Sequence, residues 1–188
     1  MRLILASSSP RRAELLRAAD FEFEIVPAVI DERARPNERA EDYVLRLASE
    51  KSASVQSSLT ANDAFVLGAD TAVVVDAEIL GKPGSDADVA RMLRQLSGRS
   101  HQVMTGVSIR SASREIREVE VTTVWFSALT PADIDWYVGS GEGLDKAGSY
   151  AIQGRAARFI PRIEGSYSNV VGLPIARVQA LISILRSS

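Results

Sequence analysis

The sequence is 188 residues long, 46% hydrophobic and 24% charged, with a formal net charge of −2. That length can bury a sizeable core without covalent staples, and the small negative charge argues against a general nucleic-acid coat, whose affinity rests on many phosphate contacts. The absence of cysteine excludes disulfides, thiolate catalysis and thiolate-held zinc. A single histidine, His101, leaves oxygen as the main ligand for any metal, which points to Mg²⁺ or Mn²⁺.

No apolar run reaches bilayer-spanning length. Leu3 to Ala6 is too short for a signal-peptide core and is stopped by polar Ser7-Ser8-Ser9-Pro10-Arg11-Arg12. A cytoplasmic chain folding as one domain over 1–188 is the expectation.

In chain order, Leu3 to Ala6 reads as a short buried strand. Ser9 suits an N-cap and Pro10 the first helical position, opening a helix with Leu15, Leu16 and Ala19 on its apolar face. Phe21 to Val26 alternates like a second strand, and Pro27 to Asn37 is a loop. The spacing predicts a long helix from about Ala40 to Ser57, with Val44, Leu47, Lys51 and Val55 on one stripe. Ala64 to Gly68 and Ala72 to Val75 read as two strands separated by Ala69-Asp70-Thr71, and Asp76-Ala77-Glu78 turns the chain into Ile79-Leu80.

Ser85 with Asp88 predicts a capped helix carrying Val89, Met92, Leu93 and Leu96, stopped at Gly98. His101 to Arg110 and Glu115 to Phe126 read as paired strands around Ser111-Ala112-Ser113. Thr130-Pro131 opens a helix with Ile134, Trp136, Tyr137 and Val138. A glycine-rich loop, Gly139 to Gly148, follows, and Pro174 to Leu185 closes the chain. Mixed strands and helices predict an α/β fold with a twisted mixed sheet flanked by helices.

Five places carry chemistry. At Ser7 to Arg12 a strand feeds a helix N-terminus, where unpaired N–H groups favour anions. Acidic residues suit that first turn, each misplaced cation costing about 0.3–1 kcal/mol. Arg11 and Arg12 there fit an anionic ligand, or else two solvated arginines. Lys51 lies in the apolar stripe, so it needs a partner such as a phosphate or Asp70, unless its stem packs and its ammonium reaches water. Asp70 interrupts an apolar stretch, which calls for pairing, a metal or a turn. Lys82, in Gly81-Lys82-Pro83, is aimed at a phosphate or simply turns the chain. Asp31-Glu32 adds two carboxylates in a loop, able to share a cation or to stay solvated. A phosphate loop, a dinucleotide fingerprint and a nucleophile elbow are all missing.

The ordered set SSSPRR (7–12), Asp31-Glu32, Glu50-Lys51, GADT (68–71), GKP (81–83), LSG (96–98), HQVMTGV (101–107), DKAGSYAIQG (145–154) and IEGSYSNVVGLP (163–174) resembles the Maf family of nucleotide pyrophosphatases. The resemblance implies a fold related to inosine triphosphate pyrophosphatases, with two lobes around a central cleft. It also implies a divalent cation, a nucleoside triphosphate substrate and a homodimer; the expectation of no nucleic-acid or membrane partner comes from the charge and the lack of a spanning run. It assigns Asp70 as the proton acceptor, and Glu32, Lys51 and Lys82 as the other charged catalytic members. Asp70 and Glu32 would hold the metal, and Ser7, Arg11 and Arg12 would contact the nucleotide and its phosphates. Arg12, Thr71 and Gln153 match the family branch that prefers dTTP and UTP over the 7-methyl-GTP branch. The Gln153 amide can donate to a base carbonyl and accept from a ring N–H, a pair that uracil and thymine offer on one edge; its other reading is a loop-stabilising amide. Two further readings stand beside this one: a nucleotide-binding regulator of septum formation, and a pyrophosphatase for modified purine nucleotides.

Overall fold

The computed structural model describes residues 2–60 and 64–187. Its strands are β1 (Arg2–Leu5), β2 (Glu24–Ile25), β3 (Ala64–Val75), β4 (Glu78–Leu80), β5 (Ser100–Arg110), β6 (Glu115–Trp125) and β7 (Arg162–Glu164). Its α-helices are α1 (Pro10–Ala18), α2 (Ala40–Ser58), α3 (Asp86–Leu96), α4 (Pro131–Val138), α5 (Tyr167–Val171) and α6 (Ile175–Arg186), with 3₁₀ turns at Ala147–Ser149 and Arg155–Phe159. The sheet runs β2-β1-β3-β5-β6-β7, with β4 paired to β3 off that path. It is mixed: β1 pairs parallel with β2 and β3, whereas β3–β4 and β6–β7 are antiparallel. The predicted α/β class with a mixed sheet and flanking helices is what the chain adopts.

Local chemistry explains most element ends. Thr130 and Asp133 form a reciprocal capping box at α4, with Pro131 in its first turn, so two orphan N–H groups are satisfied. Ser85 Oγ accepts the Asp88 N–H at 3.2 Å to start α3. Gly98, two residues past α3, takes φ 71°, the left-handed stop that glycine adopts without a Cβ penalty. Asp76 and Ala77 both have positive φ (49° and 65°), which suits the two-residue turn joining β3 to β4.

Two expectations are revised. β3 is one continuous strand through Ala69-Asp70-Thr71, because the Asp70 charge is met by a lysine and does not need a turn to reach water. The second strand shrinks to two exposed residues, Glu24 and Ile25. Trp136, in α4 as expected, is 43% exposed and lies under the Arg158 guanidinium, 4.4 Å from ring centroid to Cζ.

The chain divides into two compact units. The first comprises 1–71, 105–120 and 172–188; the second comprises 72–104 and 121–171. The first has a core of Leu3, Leu5, Leu16, Leu67, Val107, Ile109, Leu173, Val178 and Leu181, with a smaller cluster around Ile4, Val55 and Val66. The second packs Val73, Leu80, Leu93, Leu96, Val103, Phe126, Tyr137, Tyr150 and Phe159.

Candidate active site

The charged residues of the first unit meet through the seat of α2. At Gly68 in β3 an added Cβ would lie 2.1 Å from the Ala48 carbonyl oxygen, and at Gly106 in β5 it would lie 2.2 Å from that of Val44. Only glycine lets the helix backbone come this close to the two strands. The close seat brings Lys51, one turn beyond Leu47 on the buried stripe, to β3. Its ammonium lies 2.7 Å from Asp70 Oδ1 and 2.7 Å from Glu32 Oε1. Lys51 and Asp70 are both buried, at 7% and 8% exposure. Of the two sequence readings of Lys51, the structure selects the paired lysine over the snorkelling one.

Glu32 arrives from the loop between β2 and α2, and α2 holds that loop. Tyr43 donates its hydroxyl to the Glu32 carbonyl at 3.0 Å, and Arg46 donates to the Arg33 carbonyl at 3.2 Å. Arg46 also grips Glu38, with Nε to Oε1 at 2.6 Å and Nη2 to Oε2 at 2.7 Å, a fork-to-fork geometry. That contact draws the Glu38 carboxyl down to about 2 and raises the Arg46 guanidinium. Burial pushes the Tyr43 phenol up to about 12, with Asp70 and Glu32 adding to the rise, so at neutral pH it stays a donor. Asp31 does not join Glu32: its carboxylate is held by Arg33, with Nη2 to Oδ2 at 2.6 Å.

Arg12 is the second focus. It is buried at 8% exposure and donates in three directions. Nε reaches the Gly172 carbonyl at 2.9 Å, Nη1 reaches Ser7 Oγ at 3.1 Å, and Nη2 reaches Thr71 Oγ1 at 3.1 Å. Burial pulls its pKa down, while Asp70 and Glu32 pull the other way; a guanidinium stays charged at neutral pH regardless. Gly172 presents its carbonyl from φ 130°, a conformation open to glycine. Thr71 Oγ1 also lies 2.9 Å from Thr105 Oγ1. Ser9 occupies the N-cap of α1 without a side-chain hydrogen bond to the helix, and no acidic residue sits in the first turn. Arg11, half-buried beside Arg12, follows Pro10 in that turn.

The first unit thus brings together Ser7, Arg12, Thr71, Lys51, Asp70 and Glu32. Lys82 and Gln153 belong to the second unit and are both exposed. Lys82 sits in the turn after β4, where the Gly148 N–H donates to the Gly81 carbonyl at 3.1 Å. Gln153 tips the turn closed by the Gly154 N–H on the Ala151 carbonyl at 3.1 Å. Sequence reasoning missed Tyr43, Arg46, Thr105 and the Gly172 carbonyl. The three-residue step from Tyr43 to Arg46 marks one helix face and was available; a carbonyl acceptor leaves no trace in residue type.

The donor set also bears on a metal. Among the described residues no group of three or more His, Asp or Glu side chains could hold an ion. Two carboxylates do converge, and Lys51 Nζ, itself a cation, sits 2.7 Å from both. Mg²⁺ is commonly held by one or two carboxylates plus substrate phosphates, so Asp70 and Glu32 fit an ion that binds together with a polyphosphate.

The chain shares its fold with the Ham1 protein of Staphylococcus aureus, at TM-score 0.56 and 14% identity, covering 97% of this chain and 98% of that one. The sequence then defines the family: a profile described as Maf-like protein matches residues 2–185, and the chain belongs to the Maf-like family. Among its relatives is a dTTP/UTP pyrophosphatase of Anaeromyxobacter dehalogenans (strain 2CP-1 / ATCC BAA-258), 52% identical over 96% of this chain and 92% of that protein. Proteins of the same name from Vibrio parahaemolyticus (52% identical, 96% of this chain and 95% of the relative) and Shewanella oneidensis (50% identical, 97% of each) are similarly close.

Proposed function

We propose that this chain is a hydrolase that cleaves dTTP and UTP to the nucleoside monophosphate and pyrophosphate. The observation that carries the reading is the buried Lys51 ammonium held between the Asp70 and Glu32 carboxylates, beside Arg12 bound to Thr71. Relatives about half identical over nearly the whole chain, named dTTP/UTP pyrophosphatases, support it.

In this reading a water oxygen attacks the α-phosphorus, Asp70 accepts the proton, and the bond to the bridging oxygen breaks so that pyrophosphate leaves. Lys51, Arg11, Arg12 and Lys82 hold the triphosphate and stabilise the charge that develops on it, with Ser7 beside them. A divalent cation, Mg²⁺ or Mn²⁺, held by Asp70 and Glu32 with the phosphates, would add charge neutralisation at the reacting centre. Gln153 reads the base edge, with Arg12 and Thr71 completing the pyrimidine preference. The family resemblance supports a homodimer, for which light scattering should return twice the 20.3 kDa of the chain, and the lack, among the described residues, of a helix long and apolar enough to cross a membrane supports the cytoplasm as its compartment.

The test is a panel of nucleoside triphosphates assayed for pyrophosphate with and without Mg²⁺ or Mn²⁺. UTP and dTTP should lead the panel and require the cation. A preference for 7-methyl-GTP or inosine triphosphate would transfer the activity to modified purines. Tight binding of UTP without turnover would make the protein a nucleotide-binding regulator.

A further inference from the structure

We propose that Glu142 is a positioning residue that fixes the Gln153 turn and so sets discrimination between pyrimidine and purine nucleotides. The proposal rests on the base-reading role given to Gln153 above. Glu142 lies in the loop after α4, half-buried, and both of its oxygens accept the Arg155 N–H, at 2.9 Å and 3.0 Å. The hydroxyl of Tyr137, a fully buried side chain, donates to Oε1 at 3.3 Å. Among the described residues no lysine or arginine side chain forms an ion pair with this carboxylate. Its charge acts on one backbone N–H and one phenol, and charge-assisted bonds of this kind are the strong ones.

The turn is shaped around that carboxylate. A Cβ on Gly154 would sit 2.3 Å from Glu142 Oε1 and 2.6 Å from Cδ. Gly154 has φ −105°, so its glycine is required by the space the carboxylate takes and not by an unusual backbone angle. The Gly154 N–H closes the turn on the Ala151 carbonyl at 3.1 Å, which leaves Gln153 at the tip with anchored residues on either side. The loop that supplies Glu142 is tied in turn: its N–H donates to Ser140 Oγ at 3.2 Å, and its carbonyl accepts from Lys146 Nζ at 2.8 Å. An exposed glutamine can prefer one base over another only if its amide is held in one place. Glu142, through the Arg155 N–H, anchors the backbone that carries Gln153.

The experiment compares kcat/KM for UTP and GTP in the wild type and in Glu142→Ala, Glu142→Gln, Gly154→Ala and Gln153→Ala, together with hydrogen exchange at the Arg155 amide. Glu142→Ala should lower the UTP-to-GTP ratio about tenfold, the scale of one lost charge-assisted bond, through KM more than kcat, and should expose the Arg155 amide to exchange. Glu142→Gln keeps an acceptor oxygen and should restore most of the ratio and the protection. Gly154→Ala reaches the same state by expelling the carboxylate, which keeps the idea testable if Glu142→Ala folds poorly. An unchanged ratio in Glu142→Ala and Gly154→Ala, while Gln153→Ala lowers it, overturns the role of Glu142. An unchanged ratio in Gln153→Ala overturns the base-reading assignment and removes discrimination from Glu142 with it.

Discussion

Arg12 illustrates how much a single side chain can fix. Its planar fork joins the end of β1, the middle of β3 and the loop before α6 through Ser7, Thr71 and Gly172. A lysine offers one point charge in place of that fork. Arg12→Lys should therefore cost about 1–3 kcal/mol, the scale of a buried acceptor left unmet, and should raise KM for UTP; a thermal melt and steady-state kinetics check both. Asp70 is a different case. Asp70→Asn keeps the shape and removes the proton acceptor, so pyrophosphate release should fall by about 10²–10⁴ while circular dichroism stays that of the wild type. The sequence already marked Arg12, as a cation in the first turn of a helix, and Lys51 and Asp70, as charges in apolar company. It left the partner of Lys51 open, and Glu32 could not be separated from Asp31 on residue type. What separates them is that Arg33 takes Asp31 while Lys51 takes Glu32.

At the scale of elements, the site depends on how closely α2 lies on the sheet. Gly106→Ala would place a methyl 2.2 Å from the Val44 carbonyl oxygen. The helix must shift, at a cost of about 1–3 kcal/mol for overpacking, and Lys51 moves with it. We expect a lower denaturation midpoint together with a larger fractional loss in kcat than in substrate affinity; wild-type kinetics in that variant would remove the glycine seat from the account. The stripe Val44-Leu47-Lys51-Val55 was legible as a helix face, and α2 extends one residue past the expected end. β3 was misread as two strands because a carboxylate in a central strand is costly until its partner is known, and that partner lies 19 residues away. Gly68 and Gly106 gave no signal of their own, since close approach is a property of two elements and not of one.

For the molecule as a whole, the acid side of the stability curve has a specific source. His101 is 3% exposed, bonded through Nε2 to the Tyr150 hydroxyl at 2.7 Å, and packed against Phe126. Burial pulls its pKa from 6.5 to about 4. Between those values the unfolded chain binds a proton that the folded chain refuses. Stability should therefore fall as pH drops through this window, by about 1.4 kcal/mol per pH unit where the difference is complete. Urea unfolding at pH 6.5 and 4.5 should show that slope, and His101→Gln should flatten it. A slope unchanged in the variant would assign the acid loss to other groups. The carboxylates of Asp31 and Glu38, drawn down to about 2 by Arg33 and Arg46, lose their contribution lower, as pH falls from about 4 toward 2. Residues 1–188 are proposed to fold as one domain, because β3, β5 and β6 each supply residues to both compact units. A single unfolding transition, coincident by fluorescence and circular dichroism, is expected.

The most direct measurement is ³¹P nuclear magnetic resonance of UTP incubated with the protein and Mg²⁺. The account predicts loss of all three triphosphate signals, with uridine monophosphate and pyrophosphate appearing in equal amounts. Uridine diphosphate with inorganic phosphate, or UTP left intact, would contradict it.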